Sequence, residues 1–273
     1  AEIWKPYQDP KVRTSGRGVA IMKVQYAPDL FIEDALRFIR ESKDKPFFLY
    51  FAMNIPHANN EGGMNGMEVP DLGEFASKDW PEPEKGFAAM VTLMDKDMGK
   101  ILDLLEKLGI EKNTLVIFTS DNGTTHRSRD PKFGVGGVDA EFFESTAGLR
   151  GLKGSLYEGG IRVPLIARWP GHIEAGTVSD EVSAFWDMMP TFADIAGVEA
   201  PADIDGTSIL PVLLGEQSNG ERSLYWEYHG LWNGAQAVRV GQWKGVRLGG
   251  HEDPHAPIAV SYTHLRAHET DSY

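Results

Sequence analysis

The residues best suited to chemistry stand where apolar runs give way to loops. Residues 114–123 read TLVIFTSDNG, a strand-like run that ends on Asp121 and Asn122 and turns at Gly123. A carboxylate and an amide side by side supply hard oxygen donors, and the amide adds no charge. That pairing suits Ca²⁺ or Mg²⁺ rather than zinc, which draws His and Cys. Asp-Asn-Gly is equally turn chemistry, so the tripeptide alone leaves both readings open. Residues 47–57, FFLYFAMNIPH, run through Pro56 into His57, and a lone loop histidine is otherwise incidental. Lys153 stands among glycines in GLKGSLYEGG, where a solvated loop lysine is the plainer reading. His126 comes three residues after Gly123, within reach of the same strand end.

The elements that must position these residues are legible from periodicity. DLFIEDALRFIRE (29–41) spaces Ile32, Ala35, Leu36 and Ile39 as one helical face, with Asp29 as N-cap. FFLYFAM after Pro46 predicts a buried strand. Residues 84–108 carry Phe87, Met90, Val91, Met94, Met98, Ile101, Leu102, Leu105 and Leu108 on one stripe, which predicts a long helix stopped by Gly109. On this reading Met90, Met94 and Met98 are core. TLVIFT and RVPLIARW (162–169) predict two further buried strands, and FWDMMPTFADIAGV (185–198) a short helix with Pro190 near its first turn. Apolar strands alternating with helices predict an α/β fold with a parallel or mixed sheet covered on both faces, ligands gathering at the strands' carboxyl ends. Residues 124–160 are a long polar connection of the kind that carries function. From residue 223 short aromatic and β-branched runs parted by Gly, SLYWEYHG then AVRVGQWKGVRLG, predict a small antiparallel sheet.

Composition narrows the classes. The chain has 273 residues and a formal net charge of −13, with 41% hydrophobic and 25% charged residues. That acidity argues against a nucleic-acid partner. There is no cysteine, so disulfides and thiolate metal sites are excluded. No apolar stretch of about 18 residues suggests a membrane span.

GLRGLKGSLYEGGIRVPLIARWPG (148–171), FFLYFAMNIPHANNE and AVRVGQWKGVRLG, taken with the strand ending in Asp-Asn-Gly, resemble the sulfatase family over about residues 20 to 250. The resemblance implies an alkaline-phosphatase-like mixed sheet sandwiched by helices, with a small C-terminal antiparallel sheet. It also implies hydrolysis of sulfate esters of glycans or aryl compounds. Asp121 and Asn122 match the pair that binds one divalent cation, usually Ca²⁺, with Mg²⁺ as the other candidate. Lys153 matches the lysine that contacts the sulfate oxygens. His57 matches the histidine that touches the sulfate and assists the leaving oxygen. His126 is a further candidate for the substrate pocket, and His229 for a subsite. Arg150 and Arg162 are expected to pair with Glu158 as scaffold. Trp226, Tyr228, Trp232 and Trp243 suit either sugar stacking or packing of the small sheet, with packing the commoner role.

The chain departs from the family pattern at the nucleophile, and the family's paired Asp-Asp and the lysine and histidine flanking the nucleophile are missing too. Sulfatases use a formylglycine made from Cys or Ser in a C/S-x-P-x-R motif; this chain has no Cys, and none of its Ser residues has Pro two positions on. The start, AEIWKPYQDP, lacks an initiator Met. The expectation is a C-terminal part of a sulfatase, inactive by itself, whose full-length parent is matured by a formylglycine-generating or anaerobic maturase enzyme and exported to the periplasm or secreted. Asn59 stands where many relatives have Pro, which puts substrate specificity out of reach. The expected organisation is residues 1–220 as catalytic α/β domain, 221–260 as the small antiparallel subdomain, and 261–273 (SYTHLRAHETDSY from 261) as a non-native tail. Phosphatase, phosphodiesterase or phosphonate hydrolase activity on the same fold is one competing reading; a non-catalytic anion-binding remnant is another.

Overall fold

A computed structural model of the chain describes residues 25–59, 62, 65–125, 138–216, 220–230, 234–250, 252–253 and 255–262. The chain divides into two compact units. The first comprises Ala1–Ser42, Pro46–Lys100 and His126–Phe142, and the second Lys43–Lys45, Ile101–Thr125 and Phe143–Tyr273.

In the first unit, α1 (Ala27–Ser42) buries Ile32, Ala35 and Ile39, the stripe that the spacing predicts. The helix starts two residues before the expected cap. Asp29 therefore sits in its first turn, where its negative charge complements the positive end of the helix dipole. The second helix, α2 (Glu82–Lys107), of which the residues up to Lys100 belong to this unit, is long because an apolar stripe of period 3.6 runs along it; Gly109, at φ +70°, ends it. Met90 is buried with Ile55, Ala58, Met67 and Val138, and Met94 packs against that cluster, so these methionines are core. Asp97 lies on the same helix with its carboxylate buried, and it takes the Lys100 ammonium at 2.7 Å.

The structure overturns one expectation in this unit. Residues 46–54 belong to neither described sheet; Phe48 and Tyr50 are 66% and 80% exposed. Apolar, β-prone sequence makes a strand only where another strand supplies the ladder. Tyr26, just ahead of α1, donates its hydroxyl to the Glu68 carbonyl at 2.9 Å. Burial, and then the carboxylates of Asp29 and Glu68, push the Tyr26 phenol up to about 12.

The second unit holds two sheets among the described residues. β1 (Val116–Thr119) pairs antiparallel with β2 (Leu165–Arg168), in register Val116↔Arg168 and Thr119↔Leu165. Arg168 and Trp169 reach the turn before β1, the guanidinium to Glu111 at 3.3 Å and the indole N–H to the Lys112 carbonyl at 3.1 Å. This pair is antiparallel, and Ile166 is 61% exposed, so full coverage of both faces is not observed for it. A one-turn helix α3 (Glu158–Ile161) precedes β2. α4 (Met188–Ala196) has Pro190 in its first turn, as expected, and ends at Gly197 in the left-handed region. A short α5 (Leu210–Leu213) comes next.

The predicted C-terminal sheet is β3 (Ser223–Tyr228), β4 (Ala235–Val240), β5 (Trp243–Leu248) and β6 (Ile258–Tyr262), ordered in sequence and antiparallel throughout. Its inner face carries Leu224, Ala237 and Val246, buried, and Ala235, Ala237 and Val246 form a core with Leu156, Tyr157, Ile161 and Trp226. The last strand includes Ser261 and Tyr262, the first two residues of the expected tail; residues 263–273 lie outside the described residues.

Candidate active site

Asp121 and Asn122 occupy the turn that leaves β1 at its carboxyl end. Asp121 is exposed and Asn122 half-buried. The Ser120 hydroxyl donates to the Asn122 carbonyl at 3.1 Å, tightening the turn. Gly123 then makes a contact that no other residue type could make. Its N–H donates to the Gly160 carbonyl at 2.9 Å, and a Cβ built on it would stand 2.0 Å from the Gly159 carbonyl oxygen. Two backbones therefore cross with no side chain between them.

The same economy shapes the loop that carries Lys153. Gly159 donates its N–H to the Arg150 carbonyl at 2.7 Å, and an added Cβ there would lie 2.2 Å from the Gly151 carbonyl oxygen. A Cβ on Gly160 would meet the Ser155 carbonyl oxygen at 2.2 Å and that of Leu152 at 2.5 Å. The loop folds over α3, and the Lys153 N–H donates to the Thr124 carbonyl at 2.7 Å. Only Gly123 thus separates Asn122 from the residue whose carbonyl bonds to the Lys153 backbone. The structure brings together the Asp-Asn turn and the lysine loop, which lie about 30 positions apart in sequence.

Glu158, at the start of α3, is buried, and its partners differ from the expected Arg150 and Arg162. Lys244 Nζ, 1% exposed, lies 2.6 Å from Glu158 Oε1, and Arg239 Nη1 lies 3.5 Å from Oε2. The Lys244 ammonium also sits 5.1 Å from the Trp226 ring. Burial pushes the Lys244 ammonium below the ordinary lysine value; Glu158 draws it back up and Arg239 pushes it down again. Arg150 places its guanidinium 4.2 Å from the Tyr157 ring. Sequence reasoning missed Lys244, because a lysine in a β-strand ordinarily points to solvent. The one available signal was its flanking pattern: β5 alternates, and Lys244 falls on the same face as the buried Val246.

His57 belongs to the first unit. Ile55 and Ala58 on either side are buried and anchor the loop that carries it. The His57 Nδ1 lies 2.7 Å from the Ala58 carbonyl oxygen. A carbonyl only accepts, so Nδ1 carries the proton and the neutral ring keeps its lone pair on Nε2. His126 and Trp232 lie outside the described residues. His229 is exposed at the end of β3, with Nε2 3.7 Å from Glu227 Oε1. Trp226 packs inward, 5.7 Å from the Trp186 ring, whereas Trp243 is 51% exposed.

The donors of Asp121 and Asn122 fit a hard cation in kind. They fall short in number: among the described residues no group of three or more His, Cys, Asp and Glu side chains could hold a metal ion. A Ca²⁺ ion takes about 6–8 oxygens. A cavity of about 500 Å³ in the second unit, bounded by residues 180–182, 220–222 and the β4–β5 turn, is lined by none of the candidate residues except Trp243. No helix among the described residues is long and apolar enough to cross a membrane.

Comparison with known proteins bears on this geometry. A family model described as Sulfatase matches residues 3–198, and one described as N-sulphoglucosamine sulphohydrolase, C-terminal, matches residues 152–248. The chain is 37% identical over 219 residues to N-acetylgalactosamine-6-sulfatase of Rattus norvegicus, covering 79% of this chain and 37% of that protein. It is 32% identical over 259 residues to arylsulfatase A of Homo sapiens, covering 92% of this chain and 45% of that protein. The chain thus spans less than half the length of these curated relatives. Among solved structures, Ps i-CgsB in complex with k-i-k-neocarrahexaose matches with a TM-score of 0.70 and 28% identity, covering 90% of this chain and 50% of that one. A structure holding its substrate D-glucosamine-2-N,6-O-disulfate matches with a TM-score of 0.61, covering 87% of this chain and 63% of that one; at 21% identity that likeness concerns the fold alone.

Proposed function

The chain belongs to the sulfatase family, and from that premise we propose that the protein hydrolyses sulfate esters of carbohydrates or aryl compounds, with this chain supplying the anion-holding side of the site. One observation carries the reading: the Lys153 N–H to Thr124 carbonyl bond, which ties a cationic loop to the turn bearing Asp121 and Asn122. A sulfate ester gathers negative charge on its bridging and equatorial oxygens as the S–O bond breaks. The Lys153 ammonium binds and orients those oxygens. Asp121 and Asn122 would contribute to holding Ca²⁺ or Mg²⁺, which when bound polarises the same oxygens.

His57 is assigned the leaving oxygen on family likeness alone. With Nδ1–H engaged by the Ala58 carbonyl, a protonated ring presents Nε2–H. As the electron pair of the breaking S–O bond passes to the bridging oxygen, that proton neutralises it. The nucleophile is assigned to a formylglycine carried outside these 273 residues, since the chain has no Cys and no Ser with Pro two positions on. A maturing enzyme and export from the cytoplasm belong to the same proposal. Support for a glycan comes from the neocarrahexaose ligand named for one neighbour of the fold.

Titration of the chain with inorganic sulfate and inorganic phosphate tests the reading. Sulfate is expected to bind, and Lys153→Ala to weaken it about 10- to 100-fold, the range for losing one charged hydrogen bond. Unchanged sulfate affinity in Lys153→Ala, or tighter binding of phosphate, would overturn the assignment.

A further inference from the structure

The sulfatase reading leaves the most buried charge cluster beside the lysine loop without a task. Lys244 and Glu158 stand 86 positions apart in sequence and meet at 2.6 Å. Lys244 is 1% exposed and Glu158 9%. Replacing such a pair with apolar side chains of similar volume is often neutral or stabilising, because removing two charges from water costs as much as their attraction returns. Stability alone therefore does not account for it. What the ion pair adds over an apolar contact is a directed tether: Nζ must stay within hydrogen-bond reach of Oε1, whereas methyl groups slide.

The direction matters because of the two residues next to Glu158 in the chain. Gly159 and Gly160 are the residues on which the Gly123 turn and the lysine loop are both seated. That crossing is backbone against backbone. It has no side-chain rotamers with which to absorb a displacement, so its place is set by whatever anchors α3. Arg162 closes α3 by donating its N–H to the Glu158 carbonyl at 2.7 Å, so the backbone of Glu158 is held within the helix while its carboxylate is held by β4 and β5.

We propose that Glu158 and Lys244 are positioning residues: the C-terminal sheet, through Lys244, fixes α3 and thereby the spacing between the Asp121–Asn122 turn and Lys153. Neither residue touches substrate. The sheet is in this view part of the anion site's framework, and a loose sheet would leave the donors present but out of register. The link to anion binding rests on the proposed sulfate site, whereas the mechanical coupling does not.

The test uses three forms of the chain: wild type, Lys244→Met, and Glu158→Gln/Lys244→Met. Thermal melting reports global stability, amide hydrogen exchange at Gly123 and Lys153 reports the junction, and sulfate titration reports the site, with the Leu108 amide as a remote control. Lys244→Met is expected to melt lower and to exchange at both amides about tenfold faster than wild type. In the double variant the melting temperature recovers in part, because the buried carboxylate that Lys244→Met leaves with Arg239 alone is gone, while Arg239 loses that partner. Its Gly123 and Lys153 amides still exchange fast, and sulfate still binds about tenfold more weakly. Return of amide protection and sulfate affinity together with the melting temperature would make the pair merely structural and would overturn the proposal. If wild-type sulfate binding proves indifferent to Lys153→Ala, the site assignment fails by itself, and exchange at Gly123 and Lys153 still decides the coupling.

Discussion

Adding one methyl group at Gly160 tests the crossing on which the site is built. In an unobstructed helix Gly→Ala stabilises by up to about 1 kcal/mol, through lower chain entropy in the unfolded state and better helix propensity. At Gly160 the new Cβ would lie 2.2 Å from the Ser155 carbonyl oxygen, and ordinary contact begins at 3.4 Å. One strand of the loop must therefore retreat by about 1.2 Å, and neither Ser155 nor Leu152 can give by rotating a side chain, because both obstructing atoms are backbone oxygens. A shift of that size directed along the Gly123 N–H bond would stretch its 2.9 Å separation past hydrogen-bonding range. Overpacking costs about 1–3 kcal/mol and the lost bond about 1 kcal/mol, so after the helix-propensity gain the net loss is about 1–3 kcal/mol. For a chain of this size that lowers the melting temperature by about 2–12 °C. Gly99→Ala is the matched control: Gly99 lies inside α2, and a Cβ built there meets nothing within 4 Å. The expected outcome of circular-dichroism melts is a lower midpoint for Gly160→Ala and an equal or higher one for Gly99→Ala. A Gly160→Ala protein that melts at or above wild type and binds sulfate equally well would refute the steric argument.

Other perturbations test the same physics elsewhere in the chain. Asp187, fully buried, accepts both Arg222 Nη groups and the N–H groups of Ala184 and Thr207, so Asp187→Ala strands one guanidinium and two amides and is expected to cost about 3–5 kcal/mol in a denaturant titration. Tyr26 has its folded pKa raised from 10.0 to about 12; its contribution is complete below pH 10.0 and is lost as pH rises through 12. Alkaline melts should therefore show a decline over that window that Tyr26→Phe lacks, and identical profiles would count against the burial of that phenol. The chain by itself should show no turnover of 4-nitrophenyl sulfate, since covalent sulfate transfer needs a nucleophile that it does not contain; measurable Lys153-dependent turnover would contradict this assignment.

Much of the architecture was legible before any coordinates. α1 and α2 announce themselves through apolar residues at helical spacing, and Gly109 marks the stop because few other residues adopt a left-handed backbone there without strain. β3, β4 and β5 alternate with Gly and Asn between them, and hairpin neighbours pair locally. The apolar run of residues 47–53 was the failure. Its composition satisfies every local rule for a strand, yet a strand is a relation between two segments, and no rule applied to one segment reports on its partner.

What the sequence determined by itself, then, was the set of short-range facts: which stretches wind into helices, where β1 ends, and that an acid, an amide and a lysine flank glycine-rich turns. Those depend on neighbours within a few residues, and a linear chain displays its neighbours. The tertiary structure decided how the pieces were joined. It set Lys244 against Glu158 across 86 positions and pressed Gly123, Gly159 and Gly160 into one crossing. Such contacts exist only because burial and chain geometry close the long loops between them, so they belong to the folded chain and to none of its segments.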